Sequence, residues 1–242
     1  MVSAPQKPLD FLTEAVIAHT RGNYDRAGQM AKSVISGFGF YQLALGQDSL
    51  PILPEGVEQK GFYSAAWRGV AAQLIEAWAY VDRRSDLILS PTSPELIPYF
   101  TLASKRFESA YDMVVAVENL GVNNKERDFT RQILQPSLLR WATSESVMST
   151  AEIVKGLQME DFAANQSDGN PAAYRRMVSQ AVPRYQESIG HLDEMDRVLG
   201  YGTERHMRMN PMTNKANTAR YQEKREFLEG KIASLTEFAA MR

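Results

Sequence analysis

The chain of 242 residues contains no cysteine. Disulfides, thiolate nucleophiles and cysteine-built zinc sites are therefore excluded. The same absence fits a reducing interior, and the expected location is cytoplasmic. Histidine is nearly as scarce, with three in the chain. Charge of one sign is lacking too. A net charge of −2 gives no global attraction to nucleic acid or to anionic lipid. The first twelve residues, MVSAPQKPLDFL, carry no basic stretch followed by an apolar run, so no signal peptide is expected. The most apolar segment, Phe62 to Val81, is interrupted by Arg68, Gln73 and Glu76. Such charges would each cost about 2.5–3.5 kcal/mol in a bilayer core, so a buried helix is expected there rather than a membrane span.

Alternating apolar and polar runs are also missing, as is any Asn-Gly or Asp-Gly turn between β-branched runs. Almost every segment has helical period instead. The expected fold is all-α, a bundle of roughly eight to ten helices. With 44% apolar and 23% charged residues the chain is of globular composition. Its length allows one or two domains. The division expected is 1–122 and 123–242, with a single domain as the alternative.

Helices are expected from Leu9 to about Thr20 and from Tyr24 to about Ser36, joined by a Gly22-Asn23 turn, with Phe38 to Leu45 resuming helix. GQDSLPILPE, residues 46–55, reads as a loop. Phe62 to Val81 is apolar nearly all round and is expected to be the hub of the core, with Trp67 and Trp78 as its large packing groups. After a Pro-rich connection, Leu102 to Leu120 places Ala103, Phe107, Ala110, Tyr111, Val114 and Val117 on one stripe, and Gly121 fits a helix terminator. Pro136 is expected to open or kink the following helix. Ser149 and Glu152 have capping-box spacing and predict a fresh helix start. Asn170 and Pro171 fit an N-cap and a first helical residue. Tyr201 to Asn217 reads as irregular. A long C-terminal helix, about residues 218–241, carries Tyr221, Arg225, Leu228, Ile232, Leu235 and Ala239 at alternating spacings of four and three, the pattern of a coiled-coil seam.

The stretch RGNYDRAGQMA, Arg21 to Ala31, resembles the junction of a tetratricopeptide-type hairpin, with Gly22, Tyr24, Ala27 and Ala31 in the places where two helices approach closely. It is also similar to the turn of the microtubule-interacting three-helix domains. A repeat array would require recurrence at about 34 residues. That offset falls on Glu58, in the loop region, so the reading is a hairpin within a bundle.

Residues that could carry chemistry are few. Glu187, His191 and Glu194 share a helical face at i, i+4 and i+7, a spacing that suits metal ligation. The blander reading is a solvated face, and no metal or cofactor is expected. His19 ends the first helix, where it can meet the last carbonyls and the helix dipole. Asp10 and Glu14 read as exposed acids. No nucleophile motif and no phosphate loop is found, so no catalytic residue is assigned. From Arg205 to Lys231 the chain is locally basic. Arg205, Arg208, Lys215 and Arg220 are the candidate anion-binding residues, and nucleic acid the corresponding partner. Met207, Met209 and Met212 in the same region suit an adaptable docking loop.

The leading expectation is a non-catalytic structural or adaptor subunit working through protein–protein contact or self-association. Tyr221, Leu228, Ile232 and Leu235 are its interface residues, with packing inside the chain as the alternative for that seam. Polyanion association through 205–231 is the second reading. A carboxylate/His metal-dependent enzyme is the third.

Overall fold

The structure is a computed structural model, and it describes residues 8–37, 59–119, 125–167, 169–204 and 211–240. The chain is all-α. Its helices are α1 (Pro8–Thr20), α2 (Tyr24–Gly37), α3 (Gln59–Arg83), α4 (Leu96–Asn119), α5 (Lys125–Gln166), α6 (Pro171–Val178), α7 (Ala181–Glu204) and α8 (Pro211–Ala240), with a 3-10 turn at Ser85–Leu89. No strand occurs among the described residues. Phe38 to Leu45, the 46–55 loop, Gly121 and Asn123, and Arg205, His206, Met207, Arg208 and Met209 lie outside the described residues.

Contacts divide the chain into two compact units. Met1–Ser85 and Leu102–Arg140 form the first, and Asp86–Thr101 and Trp141–Arg242 the second. The division therefore does not follow the expected cut at 122/123. A linear reading places boundaries in loops, whereas here one falls in the 3-10 turn and two fall within α4 and α5.

In the first unit α1 and α2 form the expected hairpin. Gly22 adopts φ +74°, a conformation that costs a residue with a Cβ about 1–2 kcal/mol. Asn23 then caps α2, its Oδ1 accepting from the Arg26 amide at 3.2 Å. Small residues let these helices meet α3 closely. Leu12, Ala15, Ala31 and Val34 pack on Ala71, Ala72 and Ile75, and Ala18, Ala27 and Ala79 form a second contact cluster beside Tyr24. Trp67 is fully buried, as expected of the hub helix. The α4 stripe is buried at all six positions, Ala103 to Val117.

In the second unit the C-terminal part of α5 packs with α6, α7 and α8. Ala163, Val178, Ala181, Tyr185, Leu192, Leu228 and Leu235 form its core. Asn170 caps α6 as its sequence implies, with Oδ1 accepting from the amides of Ala172 (3.0 Å) and Ala173 (3.2 Å) ahead of which Pro171 holds the first position.

Helix α5 departs from expectation. It runs unbroken for 42 residues through Pro136 and through the would-be capping box. An interior proline costs roughly 3 kcal/mol. The apolar burial of Leu134, Leu138 and Trp141 on either side of it acts against that cost. Helix α8 likewise begins at Pro211 rather than near 218, and α7 continues past Gly200.

Candidate functional site

The polar residues of the second unit are organised by helix register. On α5, Glu145, Ser149 and Glu152 stand at i, i+4 and i+7. On α7, Arg184, Ser188 and His191 repeat that spacing. Because the two helices run antiparallel, the two triplets face each other in reverse order. His191 Nδ1 lies 2.8 Å from Glu145 Oε2. Ser188 donates to the Ser149 carbonyl at 2.9 Å, so Ser149 supplies the proton of the 2.8 Å contact between their hydroxyls. Arg184 Nη1 donates to Glu152 Oε2 at 3.4 Å, and Lys155 Nζ to Oε1 at 3.0 Å. Glu145, Ser149, Glu152 and Ser188 are all buried. Buried charge is costly unless paired and hydrogen-bonded, and here each carboxylate has a partner.

This ladder corrects two expectations. Ser149 and Glu152 do not start a helix, because their side chains reach across to α7 instead of back to the α5 backbone. His191 does not stand on a solvated face, since it pairs with the buried Glu145. Glu187 turns to Arg184 at 2.7 Å and Glu194 to Arg197, so the three residues of the i, i+4, i+7 set do not converge. Among the described residues no group of three or more His, Cys, Asp or Glu side chains is placed to hold a metal ion. Sequence reasoning missed Glu145. The signal was the spacing of this acid from 149 and 152, which matches that of 184, 188 and 191.

Helix α8 lays its seam on this scaffold. Leu228 and Leu235 are buried in the core of the second unit, and Tyr221 and Ile232 are partly buried against it. Packing inside the chain, the alternative for this seam, is what these burials fit. The apolar stripe is covered by α6 and α7 of the same chain, and Tyr174 meets Phe238 edge-on at 5.5 Å. Three cations of α8, Lys224, Arg225 and Lys231, are partly buried and paired within the chain. Lys224 Nζ donates to Thr150 Oγ1 at 3.0 Å, and burial pushes its ammonium down to about 8. Arg225 pairs with Asp193, and with Glu229 at 3.0 Å. Lys231 Nζ reaches Glu160 at 2.8 Å. The outward face of α8 instead exposes Glu223, Glu226, Glu229 and Glu237. Of the proposed anion-binding residues, Arg220 is exposed, Lys215 is on α8 with its side chain outside the described part, and Arg205 and Arg208 lie beyond it. Lys224, Arg225 and Lys231 of the basic segment thus engage in intramolecular hydrogen bonds and ion pairs, whereas Arg220 is exposed.

The first unit has one polar cluster of its own. His19 Nε2 lies 2.9 Å from Asp82 Oδ2, and Arg140 Nη2 donates to the same oxygen at 2.9 Å. Arg140 Nε reaches Oδ1 at 3.2 Å. The Arg140 guanidinium stacks 4.4 Å over Trp78, whose Nε1 donates to Ser137 Oγ at 2.7 Å. His19, in the last turn of α1, thus also serves a side chain of α3. Trp78 is a polar junction as much as a packing group. Burial alone would raise the Asp82 pKa, but hydrogen bonds from His19 and Arg140 outweigh it and hold the carboxyl below its ordinary value. With both oxygens engaged, Asp82 ties α1, α3 and α5 together.

What remains on the surface is apolar in places. Phe162 is 60% exposed and Leu157, five residues earlier on α5, is 38% exposed. Leu89 and Phe227 are exposed elsewhere in the second unit, and Ile17, Leu102 and Leu139 in the first. Among the described residues no helix is long and apolar enough to cross a membrane. Comparison with protein-family models, with curated proteins and with solved structures finds no match to this chain.

Proposed function

We propose that the chain is a non-catalytic helical scaffold or adaptor, working through protein–protein contact or self-association in a larger assembly. The observation that supports it is the exposure of Phe162, with Leu157 partly exposed five residues earlier on α5, in a unit whose other large apolar groups are mostly covered. Burying a phenylalanine contributes about 1.5–3 kcal/mol, which a partner surface would recover. The contact residues are therefore these two, in place of the seam on α8. The polar side chains fit the same reading, since they fasten helices to each other and so build a rigid platform.

The test combines light scattering of the purified chain with co-purification from its native source. Replacing Phe162 and Leu157 together by serine is expected to abolish self-association or partner capture while the chain stays folded and helical, with only a modest fall in melting temperature. A chain that stays monomeric and partner-free in its unmodified form, or whose assembly is indifferent to both substitutions, would overturn the reading.

A further inference from the structure

Lys32, Lys155 and Lys231 each face a carboxylate, at 3.9, 3.0 and 2.8 Å. Lys224 is held differently. Its Nζ donates to two neutral groups of α5, the Thr150 hydroxyl at 3.0 Å and the Ser146 carbonyl at 3.5 Å. The Thr150 hydroxyl gives its own proton to that same carbonyl at 2.9 Å, so toward the lysine it is an acceptor. On the side of α7, Asp193 is engaged by Arg225 and by Tyr221. Among the described residues no carboxylate pairs with Lys224.

The α5 acceptors serve an ammonium and a neutral amine alike. An ammonium placed here loses hydration and gains no countercharge, and burial holds it down to about 8. Near that pH roughly half of the groups are neutral amine, against less than about 1% for a lysine at the ordinary 10.5. A neutral Nζ has two N–H bonds and one lone pair. With both N–H bonds drawn to Ser146 and Thr150, the lone pair points away from α5. The side chain is partly exposed, so a small solute has access to it. Arg220 stands one turn earlier on the same side of α8, exposed and without a partner among the described residues.

We propose that Lys224 is a carbamylation site, at which the side-chain amine combines reversibly with dissolved carbon dioxide. The nitrogen lone pair attacks the carbon and a C–N bond forms. One C=O electron pair moves onto oxygen, and the nitrogen gives a proton to water. No leaving group, oxidant or further reactant is needed. The product is an anionic carbamate that keeps one N–H for α5, and Arg220 supplies the cation for its oxygens. Carbon dioxide suits a partly buried amine because it is small, linear and uncharged. The reaction uses neither Phe162 nor Leu157, so it stands apart from the contact surface.

The full chain would be equilibrated near pH 8 with isotopically labelled bicarbonate and carbon dioxide and followed by carbon NMR. Carbamate on Lys224 is expected at no less than about tenfold the amount per residue of the other lysines. Lys224→Arg keeps the charge and the donors to α5, and is expected to remove that resonance. The α-amino group, with an ordinary pKa of about 7.7–8.0, supplies a separate resonance that survives the substitution. Thr150→Glu, at an exposed position of α5, gives Lys224 a countercharge and is expected to lower its carbamate at least about threefold. Arg220→Gln is expected to lower it about twofold. Circular dichroism checks that each variant is folded. A spectrum without a lysine carbamate would overturn the proposal. So would a lysine resonance that persists in Lys224→Arg, or an amount unchanged in either of the other two variants.

Discussion

Gly156 shows how one residue can fix the approach of two helices. A Cβ at this position would stand 2.5 Å from Cε1 and 2.7 Å from Cζ of Tyr185. The Tyr185 ring is fully buried and lies across the bare backbone of α5. Its hydroxyl donates to Glu160, one turn further along, and Glu160 in turn accepts from Lys231 of α8. Burial, and then the Glu160 carboxylate, raise the Tyr185 pKa well above its ordinary value, so the phenol remains a donor. Gly156→Ala gains about 1 kcal/mol in helix propensity. The overpacking that it forces on a buried ring costs about 1–3 kcal/mol. Net destabilisation is expected, read as a lower denaturation midpoint with a shifted Tyr185 ring resonance. Asp82 allows a pH test. Its folded-state pKa is depressed, so its contribution is complete above the unfolded value of about 3.9 and is lost as pH falls through the folded one. Asp82→Asn is expected to cost about 1–3 kcal/mol at neutral pH, because Arg140 and His19 lose a charged acceptor. Denaturant melts of both proteins should converge as the pH is taken down through the acid range.

Among the helices, those whose ends and faces are set by nearby residues were the legible ones. The α4 stripe reads directly from spacing, and all six of its positions are buried. The α6 start reads from Asn170 and Pro171, and Asn170→Ala should cost about 1 kcal/mol, measured by equilibrium unfolding. Helix α5 was not legible. Pro136 and the Ser149/Glu152 pair are both local stop or start signals, and both are overridden. In each case the deciding partner is remote. Ser137 beside the proline accepts from Trp78, and Ser149 and Glu152 bond to Ser188 and Arg184. The seam of α8 had the right period, but period cannot say whether the covering surface belongs to the same chain.

For the molecule as a whole, that distinction changes what a truncation measures. Removing residues 211–242 takes Leu228 and Leu235 out of the second unit and uncovers Tyr185 and Leu192. Each buried leucine lost to a smaller group costs about 2–5 kcal/mol, so the shortened chain is expected to lose the second unit's cooperative unfolding and to bind hydrophobic dyes. Circular dichroism melts would show this loss. A truncated chain that melts like the full one would mean that α8 contributes nothing to the core. Loss of partner binding in such a truncation would report unfolding, so the contact surface must be tested at Phe162 and Leu157, which are outside the core.

By itself the sequence determined that this protein is helical, where most of its helices lie and which stripes they bury. Those properties follow from hydrophobic period, turn residues and caps, all of which act within a few residues. Only the tertiary structure decided the fate of the polar groups. His19 with Asp82 spans 63 positions, and His191 with Glu145 spans 46. Such pairs depend on the rotation and axial register of helices distant in the chain, which no local pattern encodes.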